Sequence, residues 1–424
     1  MIDIKHLVKY ESFKNRIVFP ERIATGVLPQ FAAAVQEWGD RESNYRLTLD
    51  FSKVAKAFAN GMLGVIATTA NLRLQGHEIS VIPPKLPTAR KFFTSTNWAH
   101  LLDPKNFSER SQARRRQFLG QFSTYEELPA LLEGFMEIVM RHMEMPGDIL
   151  AALEWSVNEI CDNVINHSNS APGGFLQVIA YPDNDIIAFS VADAGRGILN
   201  SLKEGFPKLE TDIEAIVEAI KTGITRNRAH GMGNGLAGTH RITTMTGGSL
   251  DILSGSGRLT IAESATAPHL QESTRGFKGT CVSGQIRISH DFSVSKALTF
   301  GTSPYVPYTI VDAKYELPTE EALLLKMDEQ SMGTGSRSAG REMRTKLLNL
   351  IAAKPGYPIY LDWGHIPVIA SSFADEFIGK LYVKIGKEPF EQTIRNIEIA
   401  PLVAQLIEKA IAERAAHPED DAKY

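Results

Sequence analysis

The chain has 424 residues, of which 43% are hydrophobic and 22% are charged, and its formal net charge is −4 at pH 7. These values are typical of globular protein, and the length suits about two to four domains. A slightly acidic chain without a recognisable DNA-binding module disfavours a nucleic-acid-associated protein.

Cysteines and apolar segments exclude further classes. Cys161 and Cys281 have no paired spacing, so the sequence predicts neither a disulfide scaffold nor a cysteine zinc site. The N-terminal segment lacks the apolar core of a signal peptide, and no apolar run is long enough to cross a bilayer. We therefore expect a cytoplasmic protein that does not bind a membrane.

The first predicted unit is a strand, a helix and a second strand. An apolar strand ends in Leu-Asp at Asp50, a loop follows, and Asn60 lies near the start of the helix. Residues 76–82 then form the next strand, which gives a β-α-β unit. We place this unit at residues 1–87 and a connector at residues 88–125.

The connector contains an arginine cluster formed by Arg110, Arg114, Arg115 and Arg116. Such a cluster can bind nucleic acid or phosphate. More often such a cluster is the solvated face of a connecting segment, and we favour that interpretation in a chain of acidic net charge.

An acid/amide helix follows the connector. Glu159, Asn163 and His167 are spaced i, i+4 and i+8, so they share one helical face. An Asn oxygen can complete the shell of a Mg²⁺ ion that bridges phosphates, and a Glu can orient or deprotonate a nucleophile. In isolation the pattern also fits an exposed polar face, and we interpret His167 as structural.

The next motif begins at the end of a predicted strand, residues 186–191. Asp193 follows that strand, and Gly195 and Gly197 come directly after it. A carboxylate at a strand end can accept a hydrogen bond from an adenine amino group. The glycines allow close backbone approach and positive φ. A tight turn with a capping Asp has the same local pattern.

A helix is predicted between this motif and the next glycine-rich stretch. It covers residues 212–221, and Arg226 and Arg228 follow it. A guanidinium group can pair with phosphate oxygens through two hydrogen bonds. A solvated basic loop is an equally good interpretation of these two arginines.

A third motif precedes a helix that begins at Leu236. Gly231, Gly233 and Gly235 expose backbone N–H groups at the helix N-terminus, where the helix dipole favours anionic oxygens. The motif is not a Walker A loop, because no Gly-Lys-Ser/Thr follows it. Two strands, residues 249–253 and 258–261, are then expected to pair across Ser-Gly-Ser-Gly, and Gly279-Thr280 opens another strand.

The C-terminal part repeats the pattern of the first unit. An apolar strand ends in Leu-Asp at Asp362, and a loop leads to a helix near Ser372. The spacing from Asp50 to Asn60 equals that from Asp362 to Ser372, ten residues in both cases. We place this unit at residues 308–412. The charged end, residues 413–424, lacks apolar periodicity and is predicted to be a disordered tail.

The three central motifs, in this order, resemble the N, G1 and G2 boxes of the GHKL superfamily, which includes gyrase, the heat-shock chaperone, histidine kinases and MutL. The resemblance implies an ATP-binding domain at residues 126–290, built as an α/β sandwich whose mixed sheet is covered by helices on one face. It implies ATP and Mg²⁺ as cofactors, with Glu159 as the general base, Asn163 as the Mg²⁺ ligand and Asp193 as the adenine-reading residue. The other implied ATP-binding positions are Gly195, Gly197, Arg226, Arg228, Gly231, Gly233, Gly235, Leu236 and Thr280.

The resemblance also implies that the segment between the second and third motifs, with the helix at residues 212–221, is the ATP lid. This lid is short and no Gln-Thr-Lys loop is visible, so the domain is more similar to histidine kinases and anti-sigma-factor kinases than to the gyrase clamps. The flanking repeats resemble STAS domains, in which a partner kinase of the GHKL type phosphorylates a serine. Ser372 matches that phosphoserine position, and Asn60 occupies it in the first copy. The second copy is divergent, because Ala370 stands where Asp is expected and Phe373 where Gly is expected. A hydroxyl at a helix start is also an ordinary N-cap.

Together these motifs predict a multidomain α/β and α+β protein that acts as a cytoplasmic signalling switch. ATP and Mg²⁺ would bind the central domain, and slow ATPase or serine-kinase activity would couple the nucleotide state to the STAS-like units or to a protein partner, with a homodimer as one arrangement. The alternative is a nucleotide-sensing interaction scaffold that does not hydrolyse ATP.

Overall fold

The structure is a computed structural model that describes residues 7–40, 45–112, 115–221, 223, 234–262, 267–300, 304–330 and 332–417. Its strands are β1 (Lys9–Glu11), β2 (Arg16–Val18), β3 (Arg22–Ile23), β4 (Arg46–Asp50), β5 (Lys56–Ala57), β6 (Glu78–Ile82), β7 (Gln117–Phe122), β8 (Gly174–Tyr181), β9 (Ile186–Asp193), β10 (Ser249–Ile261), β11 (His269–Arg287), β12 (Leu323–Lys326), β13 (Ile359–Asp362) and β14 (Ile394–Ile397).

The helices are α1 (Leu28–Gly39), α2 (Ala59–Leu74), α3 (Pro87–Ser95), α4 (Trp98–Leu102), α5 (Leu128–His142), α6 (Gly147–Asn163), α7 (Gly197–Leu202), α8 (Asp212–Ala219), α9 (Gly235–Met245), α10 (Val294–Ala297), α11 (Ile310–Lys314), α12 (Arg337–Ala353), α13 (Ser371–Ala374), α14 (Lys380–Ile385), α15 (Lys387–Thr393) and α16 (Pro401–Ala416). Two π-helical turns, Val164–Ser168 and Asp375–Gly379, follow α6 and α13.

The described residues divide into two compact units. The first is drawn from residues 1–112, 117–135 and 152–306, and the second from residues 113–116, 136–151 and 307–424. The first unit thus contains both the N-terminal repeat and most of the segment predicted to bind ATP. The finer five-part division remains a prediction.

The N-terminal repeat has the predicted strand–helix–strand order. Strands β2, β4 and β6 are parallel neighbours, β1 pairs with β2 in the antiparallel sense, and α2 connects β4 to β6. Asp50 at the end of β4 is buried, and its carboxylate lies 3.0 Å from the Arg16 guanidinium. This ion pair fixes the Leu-Asp end of the strand at the edge where the loop begins.

The central sheet of the first unit has the order β10-β11-β9-β8-β7, and every neighbouring pair is antiparallel. The expectation of a mixed sheet was therefore wrong for these strands. The reason is local connectivity, because residues 182–185 join β8 to β9 as a tight turn and β10 folds back directly onto β11.

Helices cover both faces of this sheet, whereas one covered face was expected. Ala192 of β9 belongs to a hydrophobic core shared with Phe31 of α1 and Ile66 of α2. Its neighbours Val191 and Asp193 line a cavity on the side of α6. Successive residues of a strand point to opposite faces, so α1 and α2 occupy the face opposite α6.

The Ser-Gly-Ser-Gly stretch is a bulge within one strand and not a turn between two. Strand β10 runs through it, and its register with β11 shifts at Ser254/Gly255 and again before Gly257. Gly255 has φ +57, and a Cβ there would lie 2.2 Å from the Asp212 carboxylate. The close approach of Asp212 is accommodated by a bulge, which sequence reasoning took for a hairpin loop.

The second unit contains a parallel sheet of order β12-β13-β14. The predicted strand ending at Asp362 is confirmed as β13. Helix α16 continues to Ala416, so residues 413–416 are helical and not part of a disordered tail. The Arg414 side chain explains this extension, because its Nε and Nη2 donate to the two Asp375 carboxylate oxygens at 2.6 and 2.9 Å. Residues 418–424 lie outside the described residues.

The arginine cluster of the connector is only partly described. Arg110 and Arg116 are exposed and Arg115 is half-buried, whereas Arg114 lies outside the described residues. The exposed arginines agree with the solvated-face interpretation.

Candidate functional site

A cavity of about 640 Å³ lies within the first unit, between α6, α7, α9 and the sheet. Its polar lining includes Asn158, Glu159, Asp162, Asn163, His167, Ser168, Asp193, Ser201, Asn234 and Thr280. A volume of this size is ordinary for a small-molecule or cofactor site.

The acid/amide helix supplies one wall of the cavity. Glu159 and Asn163 lie one turn apart on α6, and His167 follows in the π-helical turn. The structure places all three on the cavity wall. Their shared orientation follows from helical spacing, and the π turn ends the helix where the His167 carbonyl accepts from Arg196 Nε at 2.8 Å.

Burial changes the acidity of Glu159. Removal from water, together with the nearby Asp162 carboxylate, raises the pKa of Glu159 to about 7. The Asp162 carboxylate itself accepts a hydrogen bond from Asn166 Nδ2 at 2.8 Å. A carboxyl group whose pKa lies near neutrality is suited to accepting a proton at physiological pH.

Helix α9 begins against the acid/amide pair. A Cβ at Gly235 would lie 2.6 Å from Glu159 Oε2 and 3.5 Å from Asn163 Nδ2. Only glycine allows the first turn of α9, with its exposed N–H groups and positive dipole end, to come this close. Of the glycine-rich motif, Gly231 and Gly233 lie outside the described residues, as do Arg226 and Arg228 of the lid.

The second motif forms the opposite end of the cavity. Asp193 is only 3% exposed, and its Oδ1 accepts the Gly195 N–H at 2.8 Å. Burial raises the pKa of Asp193 to about 7, although the backbone N–H groups of Gly195 and Thr280 act in the opposite direction. A Cβ at Gly195 would lie 2.1 Å from the Ser168 carbonyl oxygen. This close packing holds the Asp193 carboxyl group in place.

Ser254 was not identified from the sequence, yet it organises this end of the cavity. Its buried Oγ accepts the Ile198 N–H at 2.8 Å and lies 3.1 Å from Thr280 Oγ1 and 3.2 Å from the Gly279 carbonyl oxygen. Gly197 has φ +78, and a Cβ there would lie 3.0 Å from Ser254 Oγ. Ser254 belongs to the bulge that was taken for a turn, so the sequence carried no clear signal for it.

The lid helix packs beside the cavity. Helix α8 begins with a capping box between Thr211 and Glu214 and ends at Ala219, two residues before the predicted end. Its Ala215 and Ala219 form a small core with Leu202, and Leu236 of α9 packs against that core. Leu236 also lines the cavity.

An apolar wall completes the cavity near Glu159, and sequence reasoning missed it. Trp155 lies one turn before Glu159 on α6, and Leu298, Phe300, Pro304 and Tyr305 follow the sheet in sequence. The Arg241 guanidinium of α9 lies 5.5 Å from the Phe300 ring centroid and donates to the Thr299 carbonyl at 2.8 Å. Trp155 could have been predicted from the sequence, because it lies four residues before Glu159 and therefore on the same face of α6.

Ser372, the predicted phosphoacceptor, belongs to the second unit. It is half-buried near the start of α13, whose N-cap is Ala370 and has no side-chain cap hydrogen bond. The N-cap interpretation of Ser371 or Ser372 is therefore wrong, because α13 already begins at Ser371, one residue too early for Ser371 to be the N-cap and two too early for Ser372.

Comparison with known families agrees with the two regions described above. Residues 123–243 match the family model of the histidine kinase-like ATPase domain, and residues 339–403 match that of a STAS-like domain of unknown function. No curated protein matches the chain. Within its described part, the chain has no helix with the length and apolar character needed to cross a membrane. The predicted resemblance to GHKL ATP-binding domains and to STAS domains is thus confirmed, with a histidine kinase-like ATPase domain at residues 123–243 and a STAS-like domain at residues 339–403.

Proposed function

We propose that this protein is a regulatory switch that binds ATP with Mg²⁺ in the cavity of the first unit and turns it over slowly, as an ATPase or a serine kinase. One observation carries the proposal: Glu159, Asn163 and Asp193, with the first turn of α9, line a single cavity. The match to the histidine kinase-like ATPase domain supports nucleotide binding and a regulatory role.

The base-binding end is formed by Asp193. A buried carboxylate that already accepts one backbone N–H has a further lone pair for an adenine amino group. Thr280 and Ser254 hold hydroxyl groups beside it, 3.1 Å apart. These polar groups stand among apolar lining residues such as Ile198, which suit the faces of a purine ring.

The phosphate end lies between α6 and α9. The first turn of α9 would face the phosphate oxygens, as the absence of a side chain at Gly235 allows. The Asn163 amide oxygen would complete the coordination of a Mg²⁺ ion, which neutralises phosphate charge when bound. Glu159 would orient a hydroxyl or a water molecule and accept its proton.

The packing of the first unit supports coupling to the N-terminal repeat. Strand β11 places Thr280 in the cavity and Cys281 in the core shared with α1 and α2. Two further polar contacts join the N-terminal region to the same sheet: Thr25 Oγ1, before α1, donates to Asp251 of β10 at 2.6 Å, and Trp98 Nε1 of α4 donates to Gln177 of β8 at 2.9 Å. A shift of β11 on nucleotide binding would therefore reach α2 directly.

Incubation with γ-labelled ATP separates the possible activities. Release of labelled phosphate that is lost in Glu159→Ala supports an ATPase, and label on the protein that is lost in Ser372→Ala supports a serine kinase. ATP binding with neither result supports the alternative, a nucleotide-sensing scaffold. Glu133→Ala, an exposed position on the neighbouring α5, is the matched control for Glu159.

Binding itself is tested at the adenine site. We expect Asp193→Asn to weaken ATP binding at least about tenfold, because a site built to accept a hydrogen bond loses its charged acceptor. Asp183→Asn, in the exposed turn before β9, should leave affinity unchanged. Equal affinity of Asp193→Asn and the parent would refute the assigned adenine site.

A further inference from the structure

Four cationic side chains of the second unit converge on one carboxylate. The Glu376 side chain is only 1% exposed, and Arg337, Arg344 and Lys380 have nitrogen atoms 3.2 to 3.3 Å from its oxygens. Arg341 Nε lies further away, at 3.9 Å. Four positive charges against one negative charge leave a formal surplus of three at this point of the unit.

Two of these arginines have hydrogen-bond donors that Glu376 does not occupy. The side chains of Arg337 and Arg341 are 57% and 64% exposed, whereas Arg344 is half-buried and donates to the Glu376 backbone carbonyl at 2.8 Å. A guanidinium group carries five N–H donors, so one contact each with Glu376 leaves donors that can bind a further anion. The neighbouring Asp375 carboxylate is already held by Arg414 through two hydrogen bonds.

Ser372 precedes Glu376 by four residues, on the α13 segment that continues into the π turn. This spacing places Ser372 and Glu376 on the same side of the segment. Helix α12, which carries the three arginines, packs directly on that segment, because a Cβ at Gly340 would lie 2.7 Å from the Phe373 carbonyl oxygen. The half-buried Ser372 therefore lies beside the first turns of α12.

We propose that Arg337 and Arg341 form a phosphate-binding site for a phosphoryl group carried by Ser372. Arg344 and Lys380 hold Glu376 in place and add positive charge behind it. The site rests on the proposed modification of Ser372, but it does not depend on which enzyme transfers the phosphoryl group.

The transfer and its consequence are chemically defined. The Ser372 oxygen bonds to the γ-phosphorus of ATP, the bond from that phosphorus to the bridging oxygen breaks, ADP leaves, and the hydroxyl proton passes to a base. The product adds roughly −1.5 to −2 charge with three strong acceptor oxygens, which suit two exposed guanidinium groups. It offsets the surplus of positive charge and ties α12 to α13 on the surface of the unit.

The test installs phosphoserine directly at position 372 of the full chain during synthesis, so no ATP is involved. The readout is the pH titration of its ³¹P resonance, compared with phosphoserine at position 371, the exposed neighbour on another side of the segment. Opposite charge at close range lowers the pKa of an acid, so the second phosphate pKa of residue 372 should lie about one unit below that of residue 371.

Removing the arginines should remove the difference. In the Arg337→Gln/Arg341→Gln variant the two phosphoserines should titrate together, whereas Lys387→Gln, at an exposed position on α15, should leave the shift in place. Circular dichroism checks that each variant is folded. Equal titration of residues 371 and 372 in the parent, or an unchanged shift in the arginine variant, would overturn the site.

The source of the anion is tested separately. Inorganic phosphate is added to the unmodified chain and to the chain with phosphoserine 372. The proposal expects weak binding of free phosphate that phosphoserine 372 abolishes. Equal binding of free phosphate to both chains would show a site for a free anion and would refute the assignment to Ser372. Failure of ATP binding in the first unit leaves each of these readouts unaffected.

Discussion

The strand, Leu-Asp, loop and helix pattern occurs twice, and the two helix starts have opposite surroundings. In the first copy α2 packs on the central sheet, and the Asn60 carbonyl oxygen lies 3.3 Å from Cys281 Sγ of β11. In the second copy Ser372 is half-buried on a segment that packs against α12, and α12 carries the exposed Arg337 and Arg341. The same local sequence pattern therefore gives a structural contact in one unit and a candidate modification site in the other.

Buried carboxylates show the same contrast. Asp193 in the first unit is held by backbone N–H groups, and burial raises its pKa to about 7. Glu376 in the second unit, with 1% exposure, is surrounded by four cations. A buried carboxylate held by backbone N–H groups suits ligand recognition or proton transfer, whereas surplus cations suit an incoming anion.

The largest expected change in stability comes from the hydrophobic core between α2 of the N-terminal repeat and the central sheet. Ile66→Ala in α2 should lower the free energy of unfolding by roughly 2–5 kcal/mol, because it leaves a cavity between α2 and the sheet. Ile66 is fully buried, whereas Leu74 on the same helix is 64% exposed. Leu74→Ala should change stability by less than about 0.5 kcal/mol. Urea unfolding measures both, and equal values would contradict the packing of α2 against the sheet.

The second prediction removes the carboxylate of the second unit. Glu376→Gln should destabilise the unit by about 3 kcal/mol, because the cations lose their buried partner. Glu388→Gln, an exposed change on α15, is the control. If the proposed phosphate site is correct, phosphoserine at position 372 should recover part of the loss measured by thermal unfolding. No recovery would argue against a shared set of cations.

The third prediction is a gain in stability, whereas the first two are losses. The folded-state pKa of Asp193 is raised, so the folded protein binds its proton more strongly than the unfolded chain does. Its contribution to stability is full below about pH 4 and is lost as pH rises to about 7. The Asp193→Asn variant has no carboxyl group to ionise, so it does not lose this stability as pH rises. Its free energy of unfolding at pH 8 should exceed that of the parent by about 1–3 kcal/mol, after allowing for one weakened hydrogen bond to a backbone N–H.

Unfolding of the parent and of Asp193→Asn at pH 4 and at pH 8 checks this sign. The difference between the two proteins should be small at pH 4 and should favour the variant at pH 8, in the absence of nucleotide. Asp183→Asn, in the exposed turn, should match the parent at both values. A variant that is less stable than the parent at pH 8 would contradict the raised pKa.

The smallest expected effect distinguishes Ser372 from a capping residue. Because Ala370 is the N-cap of α13, Ser372→Ala should change stability by less than about 0.5 kcal/mol. Ser336 is a true side-chain cap that accepts the Ala339 N–H at 3.2 Å, and Ser336→Ala should cost about 1 kcal/mol. Similar losses for both serines in thermal unfolding would restore the capping interpretation.

Much of the candidate site was predictable because its parts are local. Glu159 and Asn163 are one helical turn apart, and Asp193 directly follows an apolar strand, so their spacing alone places them on a helix face and at a strand end. The cavity brings these groups together with Thr280. Ser254 was not predictable, because its contact with Thr280 depends on a bulge within β10 and on pairing across 26 residues.

The errors in the predicted fold also arise from contacts between residues distant in the chain. A mixed sheet with one covered face was expected, but strand direction is set by how the chain returns, and α2 covers the second face only because the N-terminal repeat packs there. Helix α2 is buried on most sides, as its apolar composition allows. That composition does not show which element the helix packs against.

The sequence by itself determined the motifs, their order and the family resemblance, because these depend on residue type and short spacing. Tertiary structure decided what each motif faces. It buried Asp193, set α9 against Glu159 through Gly235, and gathered cations from residues 337–380 around Glu376. The physical reason is that burial and countercharge come from residues distant in the chain. Burial raises the pKa of Asp193, and the cations around Glu376 determine where a further anion can bind.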